Sequence, residues 1–386
     1  MKEKVDILIS GGTIVDPKNN FMEQQDLAIR DGKILPLQQA CELQAEQVIN
    51  ARGYLITPGL IDHHVHIFDG GSEYGFFPDS ALLPMGVTAA VDAGSAGAAN
   101  YESFRQNVIL RSKMKLFAYL NISSMGQLGG NFPEQINPQY YDLPCIRSMI
   151  DKFPEICGLK LRCDKAIIGD WGHVPLQTTL AIARELDTRL VVHGKNPPMP
   201  LEAITAQLGA GDILCHCYQG LNSTILEQSG GIKSSIQAAR TRGVLFDSAD
   251  AKGNYDYQVL IPALKEGFVP DIISTDLTLS SLFHPQIYGL PLLLSKYLNL
   301  GLPLLEVIRA CTEKPARILG LENRLGTLEA GAIADIAMFE LKQDVAVVFE
   351  NKNGDCYNGN QVLVPLMTIL EGKIVYRHME TMFRYR

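Results

Sequence analysis

From residue 57 the chain settles into one rhythm: a short apolar run, a loop, then a stretch with helical spacing. Strand-like runs fall at 61–67, 87–92, 116–121, 158–161, 189–193, 213–216, 244–247 and 272–276. Helical stretches fit at 175–187, 201–208, 257–266, 288–299 and 303–319. Such alternation implies parallel strands, because a parallel return needs a crossover segment. Eight units are the count of a (β/α)8 barrel, whose usual span of about 250 residues is the length available here. The expected fold class is therefore α/β, a TIM-type barrel.

The two ends of the chain read differently. Residues 5–10 and 13–17 flank Gly11-Gly12 as a hairpin, and Asp31-Gly32 sits between apolar residues as a second one. Residues 48–56 continue the β pattern. It returns after residue 322, at 326–328, 334–339 and 366–370, and Gly372-Lys373-Ile374 repeats the style of Gly32-Lys33-Ile34. The economical organisation is a small β-sandwich domain composed of residues 1–56 and 323–386, beside a barrel at 57–322. A chain of 386 residues, 46% hydrophobic, is long enough for one large core and a smaller one.

Charge and cysteine usage narrow the function. The net charge of −8 with no basic block argues against nucleic acid and anionic membrane as partners. No run reaches the ~18 apolar residues of a membrane span, and Met1–Asp6 lacks the apolar run of a signal peptide. Eight cysteines then read as reduced thiols in a cytoplasmic protein.

In a parallel barrel the active site lies at the C-terminal ends of the strands. Metal-compatible side chains collect there: His64 and His66 on the first strand, Lys160 on the fourth, His193 on the fifth, His216 on the sixth and Asp276 on the eighth. Side chains alternate across a strand, so His64 and His66 share a face roughly 7 Å apart and can bind one ion. A lone histidine ending an apolar strand is ordinarily a satisfied core residue. Three such strands together with Thr275-Asp276 are hard to obtain by chance. Imidazole and carboxylate suit zinc, with manganese, iron or cobalt also compatible. On this alternation His63 points away from its neighbours as a structural residue, and Cys215 and Cys217 point outward to a helix layer if His216 points inward. Lys160 is a poor ligand as an ammonium. Carbon dioxide addition would make it a carbamate able to bridge two cations, whereas on spacing alone a lysine paired with a nearby acid is the ordinary role.

These residues carry a resemblance to the amidohydrolase superfamily, in its two-metal branch with dihydroorotases, hydantoinases and phosphotriesterases. It rests on Pro58-Gly59-Leu60-Ile61-Asp62 leading into His64-Val65-His66, Lys160 in Gly-Leu-Lys-Leu, His193 in Val-Val-His-Gly, His216 in Cys-His-Cys-Tyr and Asp276 in Ser-Thr-Asp. Lys314–Leu321 and Gly326–Asp335 extend it over nearly the whole chain. The resemblance implies two divalent ions. His64, His66 and Asp276 would hold the more buried one and His193 and His216 the other. A carboxylated Lys160 and a hydroxide would bridge them, with Asp276 as the catalytic proton carrier in amide or ester hydrolysis.

Substrate identity is less constrained. Phe68 stands where dihydroorotases typically carry an arginine, and no acid follows His193, which disfavours both dihydroorotase and adenosine-type deaminase. Gly169-Asp170-Trp171-Gly172 and His216–Gly220 resemble a subgroup that includes deacetylases of acetylated hydroxy and amino acids. A small anionic substrate and a homo-oligomeric protein are expected. Arg162, His173, Lys195, Tyr255 and His284 are candidate substrate contacts, with a solvated or structural role open for each; Arg162 has Asp164 or Asp170 as rival partners. The alternatives are a cyclic amidase of the dihydroorotase or hydantoinase type, or a catalytically silent scaffold.

Overall fold

The computed structural model describes residues 3–36, 43–284 and 286–383. Seven parallel strands form one curled sheet: β6 (Leu60–Val65), β7 (Val87–Asp92), β8 (Lys115–Asn121), β9 (Ile156–Arg162), β10 (Leu190–His193), β11 (Ile213–Cys215) and β12 (Leu245–Asp247). The eighth unit, 272–276, is not a regular strand. It and the residue after it make single parallel bridges, Asp247 with Ile272 and Val65 with Leu277, and so join the two edges of the sheet. Its ladder is broken by polar substitution: Asp62 accepts from the Thr275 backbone (3.1 Å) and hydroxyl (2.7 Å), and Asp276 turns left-handed at φ 52°. The fold is mixed α/β with a TIM-type sheet.

The five strands before residue 59 are β1 (Glu3–Asp16), β2 (Phe21–Arg30), β3 (Lys33–Ile34), β4 (Leu43–Asn50) and β5 (Leu55–Pro58). With β13 (Ile336–Glu350), β14 (Cys356–Leu370) and β15 (Lys373–Arg377) they make one connected eight-stranded sheet. The Gly11-Gly12 hairpin expected from sequence is instead a bulge inside a single 14-residue strand. Before the bulge β1 pairs with β4, and after it with β5. Gly11 at φ 73° lets the strand bend there without ending. Asp31 and Gly32, both at positive φ, do form the predicted tight turn.

Two other expectations change. The helix predicted at 303–319 splits into Leu304–Arg309 and Glu313–Ile318, with Thr312 at φ −136° between them. Pro315 has no N–H to bond across that junction. Residues 340–365, which show little apolar periodicity, complete the 15-residue strands β13 and β14. Their tip reaches the barrel loop after β12: Tyr257 and Tyr255 hydroxyls donate to the Phe349 and Glu350 carbonyls (2.7 and 3.2 Å), and Lys352 N donates to Lys252 O (2.9 Å).

The loop after β12 is fixed from behind by a buried ion pair. Lys296, on the helix Leu290–Asn299, lies 2.7 Å from Asp250 and stacks its ammonium 3.5 Å from the Tyr255 ring centre. Both charged groups are fully buried, so their attraction must offset a large desolvation cost. Lys296→Met should lower stability by about 3–5 kcal/mol by stranding the Asp250 carboxylate. The double variant Lys296→Met/Asp250→Leu should recover most of that loss. Urea unfolding of the three proteins measures it.

Candidate metal centre

The parallel register lays Arg162, His193, Cys215 and Asp247 side by side across β9 to β12. In-register neighbours on parallel strands face the same way, so Cys215 faces the barrel interior with His193. Its sulfur lies 3.9 Å from Lys160 Nζ. This corrects the expectation that Cys215 points outward with Cys217. His216 also enters the site because its backbone turns left-handed at φ 60°, which breaks the alternation after β11. His63, expected on the opposite face, reaches the barrel-interior Tyr119 hydroxyl at 3.1 Å. The register irregularity between Asp62 and Val65 re-aims it.

Two imidazole groups meet at the mouth. In the first, His64 Nε2 and His66 Nε2 lie 3.5 and 3.1 Å from Asp276 Oδ1. Ligand atoms of these three side chains all fall within 4.8 Å of one another. In the second, His216 Nε2 and His193 Nδ1 are 2.9 Å apart, and His193 Nε2 is buried with no hydrogen-bond partner. Lys160, between the groups, is buried and has His64 Nε2 at 3.5 Å. Among the described residues it has no carboxylate partner, so the ordinary lysine–acid pair is not what the barrel builds.

Three of the four rings are oriented by a second contact. Ser95 Oγ lies 2.9 Å from His66 Nδ1, and Ser95 itself is set by a backbone bond to Asp92 at 2.6 Å. Asp247 Oδ2 lies 3.3 Å from His64 Nδ1, and the Ala249 carbonyl 2.9 Å from His216 Nδ1. Asn254 donates to Asp276 Oδ2 at 2.6 Å. Such partners fix ring orientation and raise ligand basicity. Sequence reasoning missed all four. Asp247 was findable, since it ends the seventh strand as the histidines end theirs.

Burial sets the protonation states. It pushes His64 well below the usual imidazole range, with Lys160 adding to the effect, and His193 likewise, with His216 adding. It pushes His216 down to about 3. These rings are neutral at physiological pH, the form that ligates metals. Burial opposes ionisation of Asp276, but the His66 hydrogen bond and nearby imidazoles outweigh it and hold the carboxyl below its ordinary value. The donor set and the unpartnered His193 nitrogen fit divalent cations.

A cleft of about 200 Å³ opens above these groups, lined also by Tyr74, Gln127, Arg162, Lys195, Asn254 and Thr278. Arg162 and Lys195 are thus brought to the site. Arg162 pairs with the buried Glu134 at 3.0 Å, rather than with Asp164 or Asp170. Lys195 donates to Asn254 Oδ1 at 2.7 Å, and burial plus the nearby Lys352 push its ammonium down to about 8. His173, Tyr255 and His284 do not line the cleft. His173 is exposed before the helix Val174–Glu185, against Gln207. Tyr255 is buried under the β13–β14 tip, and His284 folds back on Gln286.

The chain is similar to proteins already known. Residues 176–375 match the model of the Amidohydrolase family. The chain is 32% identical to a deacetylase of Agrobacterium fabrum over 89% of its own length and 85% of that protein's. It is similar to a solved structure titled as an adenine deaminase, with TM-score 0.87 and 30% identity over 97% of this chain and 100% of that one. A solved dihydroorotase gives TM-score 0.87 and 32% identity over 96% and 97%. Among the described residues no helix is long and apolar enough to cross a membrane. With this coverage and a buried imidazole–carboxylate centre at the strand ends, the chain belongs to the amidohydrolase family and is a metal-dependent hydrolytic enzyme.

Proposed function

We propose that this enzyme removes the acyl group, an acetyl in the simplest case, from a small acylated hydroxy or amino acid. The observation that carries the reading is the pairing of the two imidazole groups with a cleft of about 200 Å³. That is smaller than the roughly 300–1,000 Å³ of sites for drug-sized ligands. The deacetylase name of the Agrobacterium fabrum relative supports it. Phe68, at the position where dihydroorotases typically carry an arginine, is buried against Phe104 (ring centres 5.0 Å apart) and does not line the cleft. That counts against the cyclic-amidase alternative. The complete donor set counts against a silent scaffold. We take residues 1–56 and 323–386 as the composite β-sandwich unit and 57–322 as the barrel unit, a division that the strand pairing of β5 with both β1 and β13 supports.

In this reading His64, His66 and Asp276 would hold one divalent ion and His193 and His216 a second, both zinc, with Lys160, carboxylated by carbon dioxide, as a further ligand. A buried ammonium without a counter-ion is costly, and the carbamate turns it into an anion among cations. Bound divalent ions in such a site lower the pKa of water and polarise a carbonyl. Asp276 takes the proton of the attacking water and delivers it to the leaving oxygen or nitrogen as the acyl C–O or C–N bond breaks. Asn254, donating to Oδ2, holds the carboxylate in place for both transfers. The products are a carboxylic acid and the free hydroxy or amino acid.

Metal-loaded protein should hydrolyse members of a panel of N-acetyl and O-acetyl acids, lose activity to a chelator and regain it with zinc. Opening of dihydropyrimidine or hydantoin rings, with no deacetylation, would overturn the reading. Asp276→Asn in metal-replete protein should cut kcat by about 10²–10⁴, since the amide cannot carry the proton. Lys160→Met should act in opposite directions on two measurements. Metal content should fall, while metal-free protein should gain stability, because an apolar side chain replaces a buried ammonium that has no ion-pair partner. Metal analysis and thermal unfolding of the apoprotein read the two effects separately.

A further inference from the structure

The tip of the β13–β14 hairpin comes to the rim of the cleft, and it brings a lysine. Lys352 N donates to Lys252 O, and Asn353 Nδ2 reaches Asp256 Oδ2 at 3.4 Å, so the tip is tied to the loop after β12. On that loop Gly253 leaves a gap between two cations. A β-carbon placed there would lie 3.5 Å from Lys195 Nζ and 3.7 Å from Lys352 Cδ.

The surrounding charges are unequally neutralised. Arg162 is matched by Glu134 at 3.0 Å, and Lys252 by Glu350 at 3.2 Å. Lys195 has only the neutral Asn254 oxygen as a hydrogen-bond partner, and neither Lys195 nor Lys352 has an ion-pair partner among the described residues. Like charges brought together by a fixed backbone repel each other, and an anion between them relieves the repulsion. Two hydrogen bonds in series, Lys195–Asn254 at 2.7 Å and Asn254–Asp276 at 2.6 Å, set the spacing from this seat to the reacting centre. An anionic group a few bonds from the scissile carbonyl suits that spacing.

We propose that Lys195 and Lys352 together seat the carboxylate of the acylated acid, Lys352 being supplied by the C-terminal hairpin, and that Arg162, already paired, is not the anion's main partner. This rests on the hydrolase reading above and names the feature its substrates share. Lys195 makes the direct contact in the cleft. Lys352, exposed at the rim, adds attraction at longer range.

The test compares succinic acid monohydroxamate with its carboxamide, both titrated calorimetrically into zinc-loaded protein. The hydroxamate end addresses the metals and the carboxylate, three bonds from the hydroxamate carbonyl, reports on the lysines. Wild-type protein should prefer the acid by about tenfold or more, with a preference that shrinks as salt rises. Lys195→Gln should remove most of that preference. Lys352→Gln should reduce it about threefold and flatten its salt dependence. Lys113→Gln, at the far end of the barrel, serves as the control. A preference unchanged in both lysine variants, or lost only in Arg162→Met, overturns the proposal, as does failure of metal-loaded protein to bind either compound. Protein that takes up no zinc marks a failure of the hydrolase reading instead, and metal analysis of the same sample distinguishes the two.

Discussion

A β-strand shows only every second side chain to one face, and the centre of this barrel needs more inward side chains than that rule supplies. Lys160, His193, Cys215 and Asp247 obey it, each facing inward from β9 to β12. His216 and Asp276 do not. They enter from left-handed backbone at φ 60° and 52°, His216 immediately past β11 and Asp276 at the end of the irregular eighth unit. Non-glycine residues in this region carry strain that the surroundings must hold. Here the holding groups are visible. The Ala249 carbonyl engages His216, and Asp62 grips Thr275 beside Asp276.

That departure also explains what could be read from the sequence and what could not. The barrel rhythm and the strand-end histidines were legible because both follow from periodicity and position along a strand. The orientation of Cys215 was not, since His216, the residue that sets the apparent phase, lies beyond the alternation. The place of Tyr255 was not legible either, because its environment depends on the tip of β13 and β14, 95 residues farther along the chain, and no local signal links the two. The Arg162–Glu134 pair joins a strand to an irregular loop 28 residues earlier, and no periodic signal links the two.

Burial determines the chemistry more than any single contact. Desolvation drives His64, His193 and His216 to the neutral state, and Lys160, buried beside His64, has no carboxylate partner among the described residues. A barrel interior of this polarity would be costly as a core alone, since buried polar atoms such as His193 Nε2 go without partners. The arrangement makes energetic sense as a ligand set whose cations offset the desolvation. Stability has therefore been given up at the strand ends and recovered in the apolar clusters and buried ion pairs behind them.

Asn254 shows how closely the parts are coupled. Its amide donates to Asp276 and, at 3.1 Å, to the Ala249 carbonyl that also orients His216; its oxygen accepts from Lys195. Only a carboxamide offers two donor hydrogens and an acceptor in this shape, because a carboxylate would repel Asp276 and an aliphatic residue would strand all three partners. One neutral side chain thus links an imidazole of one group, the carboxylate of the other and the ammonium at the mouth. A shift of the loop after β12 would disturb all three together. The Lys296–Asp250 pair lies behind that loop and the hairpin tip covers it, so the buried ion pair and the distant C-terminal strands act on the reacting centre through the same short segment.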